Sequence, residues 1–133
     1  MDLTEIFQSS TFTISHDSYS IIQATVMYHD AFANVKVAND DITIVAKEKD
    51  ATYHIPSKEI MNIDNGWRII TINAKLPMDL VGFLASISQA FAESEIAIFV
   101  ISSFDTDHIL VKNDVIKEAS KILLELGFTE DSE

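Results

Sequence analysis

The segment from Trp67 to Lys112 decides the fold, and it divides into four stretches: WRIITINA (67–74), DLVGFLASISQAFAES (79–94), IAIFVIS (96–102) and DHILVK (107–112). The first, third and fourth stretches are short, apolar and rich in β-branched residues, which is typical of buried β-strands. The second repeats apolar residues at helical spacing, at Leu80, Leu84, Ile87 and Phe91. It therefore predicts an amphipathic helix, with Asp79 as its N-cap.

A second helix is predicted after Lys112. Asp114 is placed to cap it, Gly127 to end it, and its apolar stripe consists of Ile116, Ala119, Leu123 and Leu126. The resulting order of strand, helix, strand, strand and helix is the ferredoxin-like arrangement. Only Phe128 and an acidic tail remain for a fourth strand. We therefore predict an α+β fold in which another part of the chain completes this unit.

The first half of the chain has a weaker pattern of the same kind. A strand is predicted at Tyr19–Val26, one or two helical turns at 27–33, and a hairpin around Asn39-Asp40 between strands at 34–37 and 41–47. No convincing second helix follows. A turn at Asn65-Gly66 marks the boundary, so we predict two fused ferredoxin-like units, a degenerate one over 1–65 and a better-defined one over 66–133.

Charge and composition exclude several classes of function. The net charge is −12 and is evenly spread, with four Lys against ten carboxylates up to Asn65 and five basic residues against eleven carboxylates after it. Such a field repels phosphate backbones and anionic lipids, so neither nucleic acid nor membrane surface is an expected partner. The chain has no cysteine, carries Asp2 and Glu5 near its start, and has no apolar run longer than Ile96–Ile101. We expect a cytoplasmic protein.

No catalytic machinery is evident in the sequence. The three glycines are scattered, so they form neither a phosphate-binding loop nor a dinucleotide fingerprint. The four histidines have no spacing typical of metal ligands. The best carboxylate cluster, Asp105-Thr106-Asp107-His108, spans a predicted surface turn, where both carboxylates would ionise instead of dividing acid and base roles. We predict a protein that is not an enzyme, with no catalytic residue, metal or cofactor.

Two segments have the chemistry of a binding site. In 76–84, Gly82 lies near a predicted helix start, where backbone N–H groups and the positive end of the helix dipole suit a carboxylate. The glycine permits close approach of either a ligand or a neighbouring strand. In 101–107, three hydroxyls, an aromatic ring and carboxylates lie at the end of a buried strand. This segment either holds an amino group or forms an ordinary polar loop.

These segments resemble the second unit of tandem ACT-domain proteins, a small bacterial and archaeal family related to aspartate kinase regulatory domains and to animal cytosolic arginine sensors. The resemblance is carried by GWRIITINAKLP (66–77), DLVGFLASISQAFAESEIAIFVISSFDTDHILV (79–111) and ELGF (125–128). In the first half it rests on FTISHDSYSIIQ (12–23) and VANDDITIVAKE (37–48). It implies paired ferredoxin-like ACT units of βαββαβ type that bind an amino acid or similar metabolite.

The resemblance also assigns residues. The ligand loop of the family falls on Asp79, Leu80, Val81, Gly82, Phe83 and Leu84, and its second wall falls on Ser103, Phe104 and Asp107. Asp107 takes the position that meets the cationic group of the ligand. Arginine sensors of the family have an acidic residue where this chain has Leu80, so a smaller or apolar amino acid fits better than arginine.

Together these observations predict a sensor that binds an amino acid and reports it to an unidentified partner protein. The alternative is a scaffold that has lost its ligand and acts in protein–protein interaction or dimerisation. Under either hypothesis the apolar strand Ile96–Ile101 and the pairing habit of the family favour a homodimer.

Overall fold

The computed structural model describes residues 2–74 and 76–133, which form four α-helices, eight β-strands and two short 3-10 turns. The helices are α1 (Leu3–Gln8), α2 (Glu48–His54), α3 (Phe83–Glu93) and α4 (Ile116–Leu126). The strands are β1 (Thr11–Ile14), β2 (Tyr19–Ala24), β3 (Ala33–Lys36), β4 (Ile42–Lys47), β5 (Ile60–Asn73), β6 (Phe99–Ser102), β7 (Asp107–Lys112) and β8 (Thr129–Glu130). The 3-10 turns are Ser57–Glu59 and Asn113–Val115.

The chain divides into two compact units. The inner unit is Asp17–Trp67. The split unit consists of two segments, the residues up to His16 and Arg68–Glu133. The expected domains, 1–65 and 66–133, differ from these units mainly in the place of the first sixteen residues. Whether the units behave as separate domains stays a prediction.

The split unit has the predicted order β5, α3, β6, β7 and α4, and β1 takes the place of the fourth strand. β7 pairs with β5 and with β6, and β1 pairs antiparallel with β5 in the register Phe12↔Ile72 and Ile14↔Ile70. The Ser15 hydroxyl accepts a hydrogen bond from the Ile69 N–H at 2.9 Å and extends this pairing. The two-residue β8 lies parallel to the other side of β1.

The core of the split unit is built around four phenylalanine rings from distant parts of the chain. The Phe7 ring lies 5.1 Å from Phe128 and 5.5 Å from Phe83, and the Phe12 ring lies 6.4 Å from Phe128. These separations are typical of favourable aromatic pairs, and all four side chains are buried. Gly127 ends α4 with φ +118°, as predicted, and its missing Cβ would lie 3.3 Å from Gln8 Cγ. Glycine there lets the chain turn close to α1.

The inner unit is a ferredoxin-like sheet without its first helix. The strand order is β3-β4-β2-β5, antiparallel throughout, as expected for strands two, three, one and four of such a unit. Its buried core consists of Ile22, Ala24, Ile42, Ile44, Ala46, Ala51 and Ile55. The predicted α+β class with ferredoxin-like units is therefore confirmed, and the hairpin around Asn39-Asp40 forms as expected.

Two expectations for the inner unit were wrong. The stretch 27–33 has no helical turn, because the Asn34 side chain accepts from the Tyr28 N–H at 3.0 Å and donates to the Tyr28 carbonyl at 2.8 Å. Such side-chain bonds compete with helical backbone bonds. A second helix does exist, α2, but it buries only Ala51. A helix of two turns with one buried residue has too few apolar positions to show a helical period in the sequence.

Helix starts in the split unit also differ from expectation. Asp79 does not cap α3, which begins four residues later behind Gly82. Asp114 does not cap α4, because it lies inside the 3-10 turn that precedes Ile116. The buried face of α3 is Phe83, Ile87 and Phe91, so Phe83 takes the place predicted for Leu84. The buried stripe of α4 includes Ala119 and Leu123 as predicted, together with Ile122.

Shortening Phe12 should destabilise the protein strongly, because its side chain is fully buried between β5 and the Phe128 ring. We expect Phe12→Ala to lower the free energy of unfolding by ~3–5 kcal/mol. The neighbouring Thr13→Ala, a partly exposed position on the same strand, should cost less than ~1 kcal/mol. Urea denaturation of both variants measures the difference. Equal small losses would show that β1 is not an integral strand.

Candidate ligand-binding site

Gly82 shapes the start of α3. Its φ of +87° lies in the left-handed region, which costs a residue with a side chain ~1–2 kcal/mol. A Cβ there would meet Leu3 Cδ1 at 3.4 Å, an ordinary contact. The backbone angle, rather than crowding, therefore requires glycine. Before it, the Leu80 N–H donates to the Pro77 carbonyl at 3.1 Å, which closes a turn that leaves Asp79 exposed.

The first turn of α3 has unpaired donors. The first helical bond runs from the Ser86 N–H to the Gly82 carbonyl at 3.0 Å, so the N–H groups of residues 83–85 have no partner within the helix. No side chain caps the helix at Gly82. The buried Phe83 ring packs on Phe7 and Phe128 and fixes the position of these donors. Together with the helix dipole they form a site suited to an anion.

Internal hydrogen bonds hold the turn between β6 and β7. The Ser103 N–H and hydroxyl both donate to the Thr106 carbonyl, at 2.9 and 3.2 Å. The Ser102 hydroxyl donates to Oδ1 of Asp107 at 2.6 Å. The other oxygen of Asp107 has no hydrogen-bond partner in the described parts of the chain, so it is free to accept from a ligand.

These two segments line one cavity of about 250 Å³ in the split unit. Seven of the nine predicted binding residues contribute to it: Leu80, Gly82, Phe83, Leu84, Ser103, Phe104 and Asp107. The other two, Asp79 and Val81, lie with Leu80 on a separate cavity of about 600 Å³ against α1. Five further lining residues belong to the candidate segments 76–84 and 101–107 but were not assigned a role: Leu76, Pro77, Met78, Asp105 and Thr106. Ala85 lies outside both segments and was missed. Its position directly after Leu84 was the only signal for Ala85.

The cavity is negatively charged at one wall and apolar at the other. Asp105 and Asp107 line it, and none of its described lining residues is Lys, Arg or His. The leucines and Phe83 supply the apolar wall. An anionic group of a ligand would therefore meet backbone N–H groups at α3, and a cationic group would meet the Asp107 carboxylate.

His108 follows Asp107 on β7 and is half-buried. Burial lowers the pKa of this imidazole, and the nearby Asp107 carboxylate opposes that shift. The Thr71 hydroxyl lies 3.0 Å from Nδ1. The neutral ring is thus favoured in the folded protein.

Other kinds of site are not evident in the described chain. Residues 2–74 and 76–133 hold no cluster of three His, Cys, Asp or Glu side chains suited to a metal ion. No helix among those residues is both long and apolar enough to cross a bilayer.

Comparison with known proteins assigns the type of fold. Residues 62–125, just under half of the chain, match the family model of the ACT domain. A solved structure of a protein from Agobacterium tumefaciens is 23% identical, with a TM-score of 0.73 over 93% of both chains. A protein of unknown function from Vibrio cholerae, described as a possible transport protein, is 20% identical, with a TM-score of 0.72 over 94% of this chain and 95% of that one.

The regulatory subunit of aspartate kinase from Thermus thermophilus is also similar, at 10% identity and a TM-score of 0.62 over 86% of this chain and 95% of that chain. No curated protein matches the sequence. At these identities the solved structures show the fold alone. The strand order and the two helices of the split unit, α3 and α4, define a protein of ferredoxin-like units. More particularly, residues 62–125 are similar to the ACT domain, and this match lies mainly on the split unit.

The lowered pKa of His108 predicts a pH dependence of stability. Because the unfolded chain binds a proton at the ordinary pKa of about 6.5 and the folded chain only at lower pH, stability should fall as pH drops below about 6.5. His108→Gln should remove this component, whereas His29→Gln, at an exposed position, should retain it. Unfolding free energies at about pH 7.5 and 5.5 test this. An unchanged pH dependence in His108→Gln would contradict the assigned burial effect.

Proposed function

We propose that the protein is a regulatory protein without catalytic activity, and that it binds an amino acid in the cavity between α3 and the β6–β7 turn. One observation carries the proposal: residues 83–85, whose N–H groups have no partner within the helix, and Asp107 line the same small cavity. An amino acid carries a carboxylate and an ammonium group on one carbon, so it complements both. A reporting role toward a partner protein and a cytoplasmic location stay predictions.

The expected ligand follows from the two walls. Its carboxylate accepts from the N–H groups at the start of α3, and its ammonium donates to Asp107. Its side chain then lies against Leu76, Leu80 and Leu84. An apolar wall at Leu80 leaves a guanidinium without a partner, which is unfavourable for a charged group removed from water. A small or apolar amino acid is therefore preferred over arginine.

Binding should depend on the charge of Asp107. We expect a small amino acid to bind with a Kd between micromolar and low millimolar, as for a ligand of about ten heavy atoms. Asp107→Asn keeps the shape but removes a charge-assisted hydrogen bond worth ~1.5–3 kcal/mol, so calorimetry should give roughly tenfold to hundredfold weaker binding. Asp114→Asn, an exposed carboxylate of the same unit outside the cavity, is the matched control.

Two outcomes would count against this site. A hit that binds Asp107→Asn as tightly as the unchanged protein would place the ligand elsewhere. No binding by any common amino acid at ~10 mM would favour the alternative, a scaffold that acts through dimerisation.

We also propose that the protein forms a homodimer through β6. Among the described strands β6 pairs only with β7, so its other edge offers unpaired backbone groups. Ile101 is partly buried and lies outside the core cluster of its unit. A second copy paired along this edge would satisfy the backbone and cover apolar side chains.

Light scattering tests the dimer. We expect a mass of about 30 kDa, twice the 14.8 kDa of one chain, at micromolar concentration. Ile101→Lys should give monomers, because the symmetric interface would bring two like charges together. Gln89→Lys, at an exposed position of α3, should remain dimeric. A mass near that of one chain in the unchanged protein would contradict the proposal.

A further inference from the structure

The missing first helix of the inner unit leaves a second cavity. Residues 25–32 cross the place of that helix as a turn, and a cavity of about 390 Å³ opens between this turn, the start of β2 and α2. Its lining is rich in rings and carboxylates: Tyr19, Tyr28, Phe32, His54, Asp30 and Asp50. None of these residues belongs to the site described above.

The four rings form two pairs. Tyr28 and His54 are stacked, with ring centres 5.4 Å apart and planes 9° apart. Tyr19 and Phe32 meet edge to face, with ring centres 6.0 Å apart and planes at 70°. Faces of aromatic rings carry partial negative charge and attract cations within about 6 Å of the ring centre.

The position of Tyr28 is fixed before any ligand binds. The Asn34 side chain bonds both the N–H and the carbonyl of Tyr28. That carbonyl also accepts from the Ala31 N–H at 3.1 Å. Tyr28 and Ala31 pack against the buried core of the inner unit. A preorganised wall of this kind lowers the entropy lost on binding.

The cavity has an excess of negative charge. Lys47 is the one lysine or arginine of its lining. It pairs with Asp17 at 3.2 Å, and that hydrogen bond is the main reason why the pKa of Lys47 is raised. Neither Asp30 nor Asp50 takes part in an ion pair with the described residues. Burial raises the pKa of the Tyr28 phenol, and Asp50 and Asp30 add to that shift. The phenol therefore stays neutral beside two carboxylates, of which Asp50 also interacts with the charge of Lys47.

We propose that this aromatic cavity binds a small organic cation, an alkylated ammonium group that sits against Tyr28 and Phe32 and near Asp30 and Asp50. Rings alone would suit any flat apolar ligand, and carboxylates alone would suit a hydrated metal ion. The two together suit an organic cation, which gives up its water more readily than a metal ion and gains both ring faces and charge. The site is independent of the amino acid site and of the function proposed for it.

Choline and its neutral isostere 3,3-dimethylbutan-1-ol are the probes. They have nearly the same shape and differ in the charge of the central atom. In nitrogen–proton NMR spectra at about pH 8, choline should shift the amides of residues 28–32 and 50–54, with a Kd in the millimolar range or tighter. The isostere should bind at least tenfold more weakly. Equal binding of both probes, or no shift with choline at ~50 mM, would overturn the proposal.

Variants separate the contributions of rings and charge. Tyr28→Leu should weaken choline binding roughly 2- to 30-fold through loss of a ring face, whereas Tyr53→Leu, an 87% exposed ring on α2, should not change it. The double change Asp30→Asn/Asp50→Asn should weaken binding about 2- to 30-fold and is expected to fold even if Tyr28→Leu does not. Asp40→Asn/Asp41→Asn makes the same charge change in the β3–β4 turn. If both double variants lose affinity equally, binding reflects net charge alone and the site is refuted.

Discussion

The pairing of β1 with β5 is the interaction on which the split unit depends. β5 is the first strand of that unit, and without β1 its outer edge and the apolar face beside it would be open to water. The register places Phe12 opposite Ile72 and Ile14 opposite Ile70, so both apolar residues of β1 enter the core while its threonines alternate outward. The pairing of β1 with β5 thus satisfies the backbone groups of both strands and buries the Phe12 ring at the same time.

The candidate amino acid site depends on the same packing. Phe83 is the first residue of α3, and its ring lies against Phe7 from α1 and Phe128 from the end of α4. The orientation of the first-turn N–H groups is therefore set by side chains more than forty positions away in the sequence. Gly82 supplies the left-handed angle that lets the loop from Pro77 enter the helix at this anchored ring. A site built on a packed helix start is more rigid than one built on loops alone.

Much of the fold was predictable from local patterns. Strands such as β7, the hairpin around Asn39-Asp40 and the glycine end of α4 follow from alternation, turn chemistry and backbone preference. The features that local sequence patterns did not predict depend on contacts between distant residues. The role of β1 depends on pairing with residues about sixty positions later, and the loss of a helix at 27–33 depends on the Asn34 side chain. The two candidate binding segments were proposed from their residue chemistry and then from family resemblance, and neither indicated that Asp79 and Val81 line a different cavity from Asp107.

Native-state hydrogen exchange tests the central claim, that the first residues of the chain fold as part of the split unit. If β1 is integral, its amides and that of Ser15, bonded to the Ile69 carbonyl at 2.8 Å, should open with the same free energy as β7, within ~1 kcal/mol. The opening free energies of the inner-unit strands serve as the reference for a part of the chain that opens separately from β7. Exchange of the β1 amides at the rate of a frayed end, with β7 still protected, would contradict the account.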